Sequence, residues 1–267
     1  MTDFDKIKNY YKNFDEKNRL QNDNSGKLEY DMTVKILEKN LPSNGTILDL
    51  GGGAGVYSFL LADKGYKVYL ADLSDELINQ AKEQRNENVI CNVVNAIDLS
   101  IYNDNQFDVV LLFGPLYHLL EDEERNKCVS EINRILKPGG KVLASFIPYM
   151  SGSIAIVDRY LRHPEQVDIN NLSEVFESGK FNNASDKGFQ EGYYPTINEI
   201  ENLFSSNGFE KIEIKSIRGF GYEKEDSLYS INDKEMFDKV IELIEKTSSN
   251  QSIIDTCGHA MYIGYKE

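Results

Sequence analysis

Three stretches of this 267-residue chain hold residues whose types and spacing could do chemistry. Residues 49–55 read Asp-Leu-Gly-Gly-Gly-Ala-Gly, Asp72 follows a second apolar run, and Gly114-Pro115-Leu116-Tyr117-His118-Leu119 follows a third. Glycine lets the backbone turn sharply and lets a ligand lie against it with no Cβ in the way. Gly51, Gly53 and Gly55 come after a strand pattern and before a helix pattern, the context a nucleotide-binding loop requires. A dinucleotide fingerprint, G-x-G-x-x-G, counted from Gly51 and Gly53 would need glycine at 56, where the chain has Val56. An NAD-dependent oxidoreductase is therefore disfavoured. The alternative of a tight turn that binds nothing asks three spaced glycines to serve only geometry. Asp72, with Ala71 before it and Leu73 after it, ends the second strand pattern, where a carboxylate can accept both hydroxyls of a ribose. His118 has a side chain that titrates near neutrality, so it is a candidate base; the other reading is a ring that bonds backbone or shapes a pocket. Tyr117 either orients an acceptor or packs as a wall. His163 and His259 read as structural or exposed.

The elements that must position these residues follow a rhythm of strand and helix. Apolar runs at 46–50, 67–73, 89–94, 107–113 and 141–147 read as strands, and the continuous run 107–113 is of the kind buried on both faces of a parallel sheet. Helices are expected at 28–39, 56–64, from Ser74 (a good N-cap) onward, and over 121–136. The loop-like composition of 22–26 predicts a turn, and Phe4, Ile7, Tyr10, Tyr11 and Phe14 recur at roughly helical spacing. Residues 148–191 interrupt the rhythm with two helical patches, 154–161 and 171–178, amid Asn, Ser, Asp and Gly. Thr196-x-x-Glu199 is a capping box that opens a helix ending at Gly208. A strand at 211–217, a helix at 232–246 and a strand at 259–265 close the chain. The expected fold is α/β: a doubly wound, mostly parallel seven-stranded sheet with helices on both faces and a helical lid insertion. Its organisation is an N-terminal cap segment (1–30), a core (31–147), a lid (148–191) and a C-terminal completion of the sheet (192–267). No internal repeat is present.

Composition narrows the function. The formal net charge is −15, an unfavourable surface for nucleic acid, whose affinity depends on Lys and Arg neutralising phosphates. The balance favours a small-molecule or protein substrate. No apolar run approaches 18 residues, and the N-terminus lacks a signal-peptide pattern, so a cytoplasmic protein without a membrane span is expected. Cys91, Cys128 and Cys257 are far apart and show no ligand spacing; they read as reduced core residues, and no metal site is expected.

The pattern D-x-G-x-G-x-G at 49–55 resembles the first motif of class I, Rossmann-like S-adenosylmethionine-dependent methyltransferases. The G-P-L-Y-H-L segment at 114–119 resembles a bacterial small-molecule subgroup of them. The likeness extends through Lys137-Pro138-Gly139-Gly140 to the capping-box helix, and to Tyr11, Glu16, Arg19-Leu20 and Leu28-Glu29-Tyr30 near the N-terminus. It implies S-adenosylmethionine as cofactor, held by Asp49, Gly51, Gly53, Gly55, Asp72, Leu73 and Phe113, with Tyr11 and Arg19 closing over it. Arg19 would pair with the cofactor carboxylate; an exposed i, i+3 pair between Glu16 and Arg19 is the competing reading. The family's adenine pocket maps onto Asn95 and Ala96. Asn95 stands where Asp is usual, with Asp98 three residues on, so either side chain is a candidate for the adenine amino group. Direct methyl transfer to a nucleophilic O, N or C of a small molecule is the expected reaction, with His118 and Tyr117 nearest the chemistry. An RNA-modifying methyltransferase and a non-catalytic S-adenosylmethionine-binding protein are the alternatives; the first predicts a basic surface, the second an exposed apolar patch where the lid should be.

Overall fold

The computed structural model describes residues 2–12, 15–183 and 191–267. Phe14, the last residue of the N-terminal helical pattern, lies outside the described residues. Among the described residues there are nine strands: β1 (Thr46–Leu50), β2 (Lys67–Asp72), β3 (Val89–Val93), β4 (Phe107–Phe113), β5 (Leu136–Phe146), β6 (Lys180–Asn182), β7 (Glu191–Tyr193), β8 (Phe209–Ser216) and β9 (Ala260–Lys266). Seven of them form one sheet in the order β3-β2-β1-β4-β5-β9-β8, and β6 with β7 forms a separate hairpin. Neighbours from β3 to β5 are parallel, while β9 runs antiparallel to both β5 and β8. The chain proceeds outward from β1 in one direction and from β4 in the other, so the β1–β4 junction is the switch point at which ligands bind in sheets of this kind.

Side chains alternate between the faces of a strand, and the sheet buries both. Leu48, Leu50, Val110 and Leu112 pack into one apolar cluster with Cys128 and Ile132 of the helix Asp122–Ile135. Ile47, Val109 and Leu111 pack into a second with Leu28, Met32 and Ile36 of the helix Asn24–Asn40. Between β5 and β8 the chain forms the helices Tyr149–Arg162 and Ile169–Ser178 and the β6–β7 hairpin, which share a small core around Ile156, Val175, Phe181 and Tyr194. Among the described residues, no helix is long and apolar enough to cross a membrane.

Two expectations are corrected. Residues 22–26 are not a loop: Asp23 caps a helix that starts at Asn24, accepting from the Gly26 amide at 2.7 Å. Their polar, glycine-containing composition suits a cap as well as a turn, and Gly26 serves packing. A Cβ there would lie 2.3 Å from the Arg19 carbonyl oxygen, because the short helix Arg19–Asn22 crosses against it. The break expected at 137–140 is milder than a strand boundary. β5 already begins at Leu136, paired with Phe107, and the Pro-Gly-Gly segment appears as a register shift before Val109 meets Lys141.

Gly26→Ala tests the crossing. Helix propensity alone favours alanine by about 1 kcal/mol, but the clash is with backbone and cannot be relieved by a rotamer. The expected result is a net loss of about 1–3 kcal/mol in urea unfolding; a variant more stable than the parent would refute this packing.

Candidate functional site

The parallel register aligns the ends of the strands. Leu50 pairs with Ala71 and with Leu112, and Phe113 pairs with Ser145. The glycine loop leaves β1 at this edge with its first amide bonds already set: the Gly51 and Gly52 amides donate to the Ala71 carbonyl at 2.7 and 3.3 Å. Gly51 and Gly53 adopt φ +80° and +55°. At Gly51 a Cβ would stand 2.5 Å from Pro115 Cδ, so the absent side chain is what lets the loops after β1 and β4 meet.

These loops floor a cavity of about 280 Å³. Its lining includes Gly51, Gly53, Asp72, Leu73, Asn95 and Ala96. Asp72 is locked in place, one carboxylate oxygen accepting from the Gly53 amide (2.9 Å) and the other from the Ser74 amide (2.8 Å). Burial pushes its pKa up against those bonds. Asn95 turns its carbonyl to the Ile97 amide at 3.2 Å, an arrangement that leaves the amide group as the part of this side chain able to donate to a base. Asp98 is held in solvent by the Ser100 amide (3.2 Å) and does not line the cavity. Of the two adenine candidates, then, only Asn95 reaches the site.

Two residues assigned to the cofactor lie behind the cavity wall. Gly55, at φ +90°, caps the helix Val56–Asp63. Asp49 is fully buried beneath the loop, with one oxygen accepting from Ser58 Oγ at 2.7 Å and the other without a hydrogen-bond partner. Burial raises its pKa to about 6, the Ser58 bond opposing and Asp72 adding to the rise.

The N-terminal segment and the far edge of the sheet line the cavity too, and Glu16 lies against the glycine loop, its Cγ 3.3 Å from where a Gly53 Cβ would stand. Arg19 donates from Nε to Glu16 (3.0 Å) and from a terminal nitrogen to Glu29 (2.9 Å). The predicted Glu16–Arg19 pair exists, but it borders the cavity and extends to a third residue, so it is no solvated surface pair. Burial favours a neutral Glu29, yet Arg19 and then His259, whose Nδ1 stands 3.5 Å from Glu29, hold that carboxyl well below the carboxylate range. Two carboxylates share a guanidinium that carries five N–H donors. Tyr117, Tyr11 and His118 also line the cavity. Tyr11 Oη lies 2.9 Å from His118 Nε2. His118 does not titrate near neutrality: burial brings its pKa down to about 4, against a backbone hydrogen bond with Glu191 that favours the protonated ring. The cause is tertiary, since residues from the N-terminus cover a loop that follows β4. Thr2 receives the Leu120 amide on Oγ1 (3.0 Å) and donates its own amide to Glu124, while Lys6 bonds Glu191 at 2.6 Å.

His259 was read as structural or exposed, and the structure puts it on the cavity. Glu29 and Ser145, given no role from sequence, also line it. One signal was available: β9 is the reversed strand, so the residues that begin it emerge at the edge where the parallel strands end. His163 is exposed.

Comparison with known proteins agrees with this geometry. Residues 48–144 match the family described as a methyltransferase domain. A ubiquinone/menaquinone biosynthesis C-methyltransferase, UbiE, of Shewanella sp. (strain W3-18-1) is 33% identical over 106 residues, covering 36% of this chain and 40% of that protein. The chain thus spans less than half the length of this curated relative. Among solved structures, the PH0226 protein of Pyrococcus horikoshii OT3 superposes with a TM-score of 0.64 at 22% identity, over 97% of this chain and 99% of that one. A structure of S-adenosylmethionine-dependent methyltransferases from Methanosarcina mazei gives 0.61 at 20% identity, over 86% and 96%. The fold is the Rossmann-like methyltransferase fold with a mostly parallel seven-stranded sheet, and residues 48–144 are similar to a methyltransferase domain.

Asp49 carries a testable cost. Its proton is held more tightly in the folded state (about 6) than in the unfolded chain (3.8). The stability this contributes is complete below pH 3.8 and is lost as pH rises through 6, up to about 3 kcal/mol by neutral pH. His118 has the opposite sign: its folded pKa is lowered, so its contribution is complete above 6.5 and is lost as pH falls towards 4. Asp49→Asn should gain stability over the parent between pH 5 and 8 in chemical denaturation; a difference independent of pH would contradict the buried charge.

Proposed function

We propose that this chain transfers a methyl group from S-adenosylmethionine to a small molecule. The observation that carries the reading is the convergence on one cavity of two sets of residues of different character. One has the glycine loop, the Asp72 carboxylate and the Asn95–Ala96 turn; the other has Tyr11, Tyr117 and His118. The first fits the cofactor. Asp72 is immobilised by backbone amides, so it meets ribose hydroxyls without losing side-chain freedom. Leu73, Leu77 and Val94 line the cavity with Asn95 and Ala96 and supply apolar surface for a base, and Phe113 and Arg19 line it too. Arg19, already clamped between Glu16 and Glu29, presents its remaining donors to a carboxylate. Asp49 supports the loop from beneath and adds negative charge under a cationic ligand.

When bound, S-adenosylmethionine supplies a methyl group on a positively charged sulfur that leaves as a neutral thioether. The protein's work is alignment and exclusion of water. In this reading residues 148–191 are a lid and 1–30 a cap. Lys6 with Glu191 and Lys180 with Glu121 are the ion pairs that close them over the cavity. The enclosed volume and the −15 charge favour a small acceptor over RNA. The UbiE relative, named for quinone biosynthesis and for C-methylation, keeps carbon among the candidate atoms beside O and N.

A non-catalytic cofactor-binding partner protein is the second reading, and one observation favours it. Met150, Ile154, Val157 and Leu161, at i, i+4, i+7 and i+11 on the helix Tyr149–Arg162, are exposed. Tyr11, Tyr117 and His118, which line the same cavity, favour catalysis.

Calorimetry with S-adenosylmethionine tests the cofactor. The parent should bind, and Asp72→Ala should lose at least about tenfold in affinity, or 1.4 kcal/mol. No binding by the parent, or unchanged binding by the variant, rejects the assignment. Incubating a metabolite extract with isotope-labelled cofactor then separates the two readings: a product heavier by one labelled methyl supports the enzyme, and cofactor binding without any product supports the partner protein.

A further inference from the structure

The cavity lining holds a hydrogen-bonded chain of three side chains. Tyr117 and Tyr11 bond through their hydroxyls, and Tyr11 meets His118 Nε2 at 2.9 Å. The three come from different parts of the fold: Tyr11 from the helix Phe4–Lys12, Tyr117 and His118 from the turn after β4. All three line the cavity, while His118 itself is 8% exposed. A neutral imidazole has one N–H and one bare nitrogen. Burial keeps the His118 ring neutral at ordinary pH and holds the Tyr11 phenol protonated, and the ring also bonds the Glu191 backbone. In the tautomer with its hydrogen on Nδ1, Nε2 is the bare nitrogen and the Tyr11 hydroxyl donates to it.

Resting on the methyl-transfer reading, we propose that Tyr11 and His118 form a proton relay in which Tyr11 touches the acceptor and His118 stores its proton. The acceptor's X–H gives its proton to Tyr11 Oη as Tyr11 passes its own to His118 Nε2. The X–H electron pair forms the new X–C bond, and the pair of the broken C–S bond stays on sulfur. The tyrosine ends unchanged and the imidazole ends as a cation, matching the positive charge lost at sulfur. Water recovers the proton when the products leave. The relay defines a substrate class: an acceptor whose attacked atom must lose a proton, such as a hydroxyl, a primary or secondary amine, or a carbon acid. A tertiary amine or a thioether has no such proton and no use for the pair. It also moves Tyr11 from the cofactor, where the family resemblance assigned it, to the acceptor.

The decisive measurement needs no acceptor. The chain has three histidines, so ¹⁵N-histidine NMR of the protein with S-adenosylhomocysteine, assigned with His118→Gln, reads the state of each ring. The relay requires His118 Nε2 unprotonated, with a shift that changes when Tyr11→Phe removes its donor. A protonated Nε2, or a His118 signal indifferent to Tyr11→Phe, overturns the proposal. In the labelled-cofactor extract assay, Tyr11→Phe should bind S-adenosylhomocysteine within about threefold of the parent and transfer methyl at least about 100-fold more slowly. Parental transfer by Tyr11→Phe also overturns the relay and leaves methyl transfer intact. Failure of the parent to bind S-adenosylhomocysteine overturns the methyl-transfer reading on which the relay rests.

Discussion

Parallel strands share a direction, and every chemical group discussed above depends on that constraint. β1, β2, β4 and β5 are held in register, so their last residues reach the same edge: Leu50 beside Ala71 and Leu112, Phe113 beside Ser145. The glycine loop inherits its start from this ladder, because the Gly51 amide extends the β1–β2 bonding to the Ala71 carbonyl. Asp72, one residue further along β2, then meets the Gly53 amide. β9 obeys the same geometry in reverse, which brings His259 and Met261 to the edge where the parallel strands end.

Charge at this edge is placed against stability. Asp49 is buried with one oxygen unpaired, and Glu29 and Arg19 are drawn out of water together. Buried ion pairs recover their desolvation poorly, so neither feature serves the core. Glu29 and Arg19 line the cavity and Asp49 lies beneath its glycine loop, where fixed charges would act on a ligand without reorganising. The apolar clusters on the two faces of the sheet supply the stability that such a site consumes.

The N-terminal segment changes the chemistry of a loop that sequence analysis could only locate. His118 was legible as a residue after β4, but its ionisation depends on what covers it. Tyr11, Thr2 and the β6–β7 hairpin provide that cover across more than a hundred residues of sequence in the case of Tyr11 and Thr2. The same burial that disqualifies His118 as a free base near pH 7 gives it a hydroxyl partner.

By itself the sequence determined the fold class, the order of strand and helix, and the glycine loop with Asp72, and Val56 after it disfavoured a dinucleotide. These are local properties: periodicity, capping residues and glycine spacing are written within ten or twenty neighbouring residues. The tertiary structure alone decided that Asn95 and not Asp98 reaches the cavity, that Asp49 lies beneath the loop, that Gly26 sits inside a helix, and that Glu29 and His259 face the site. Each of these depends on which surfaces meet when distant segments pack, and burial, the quantity that sets a pKa or forbids a Cβ, has no value until they do.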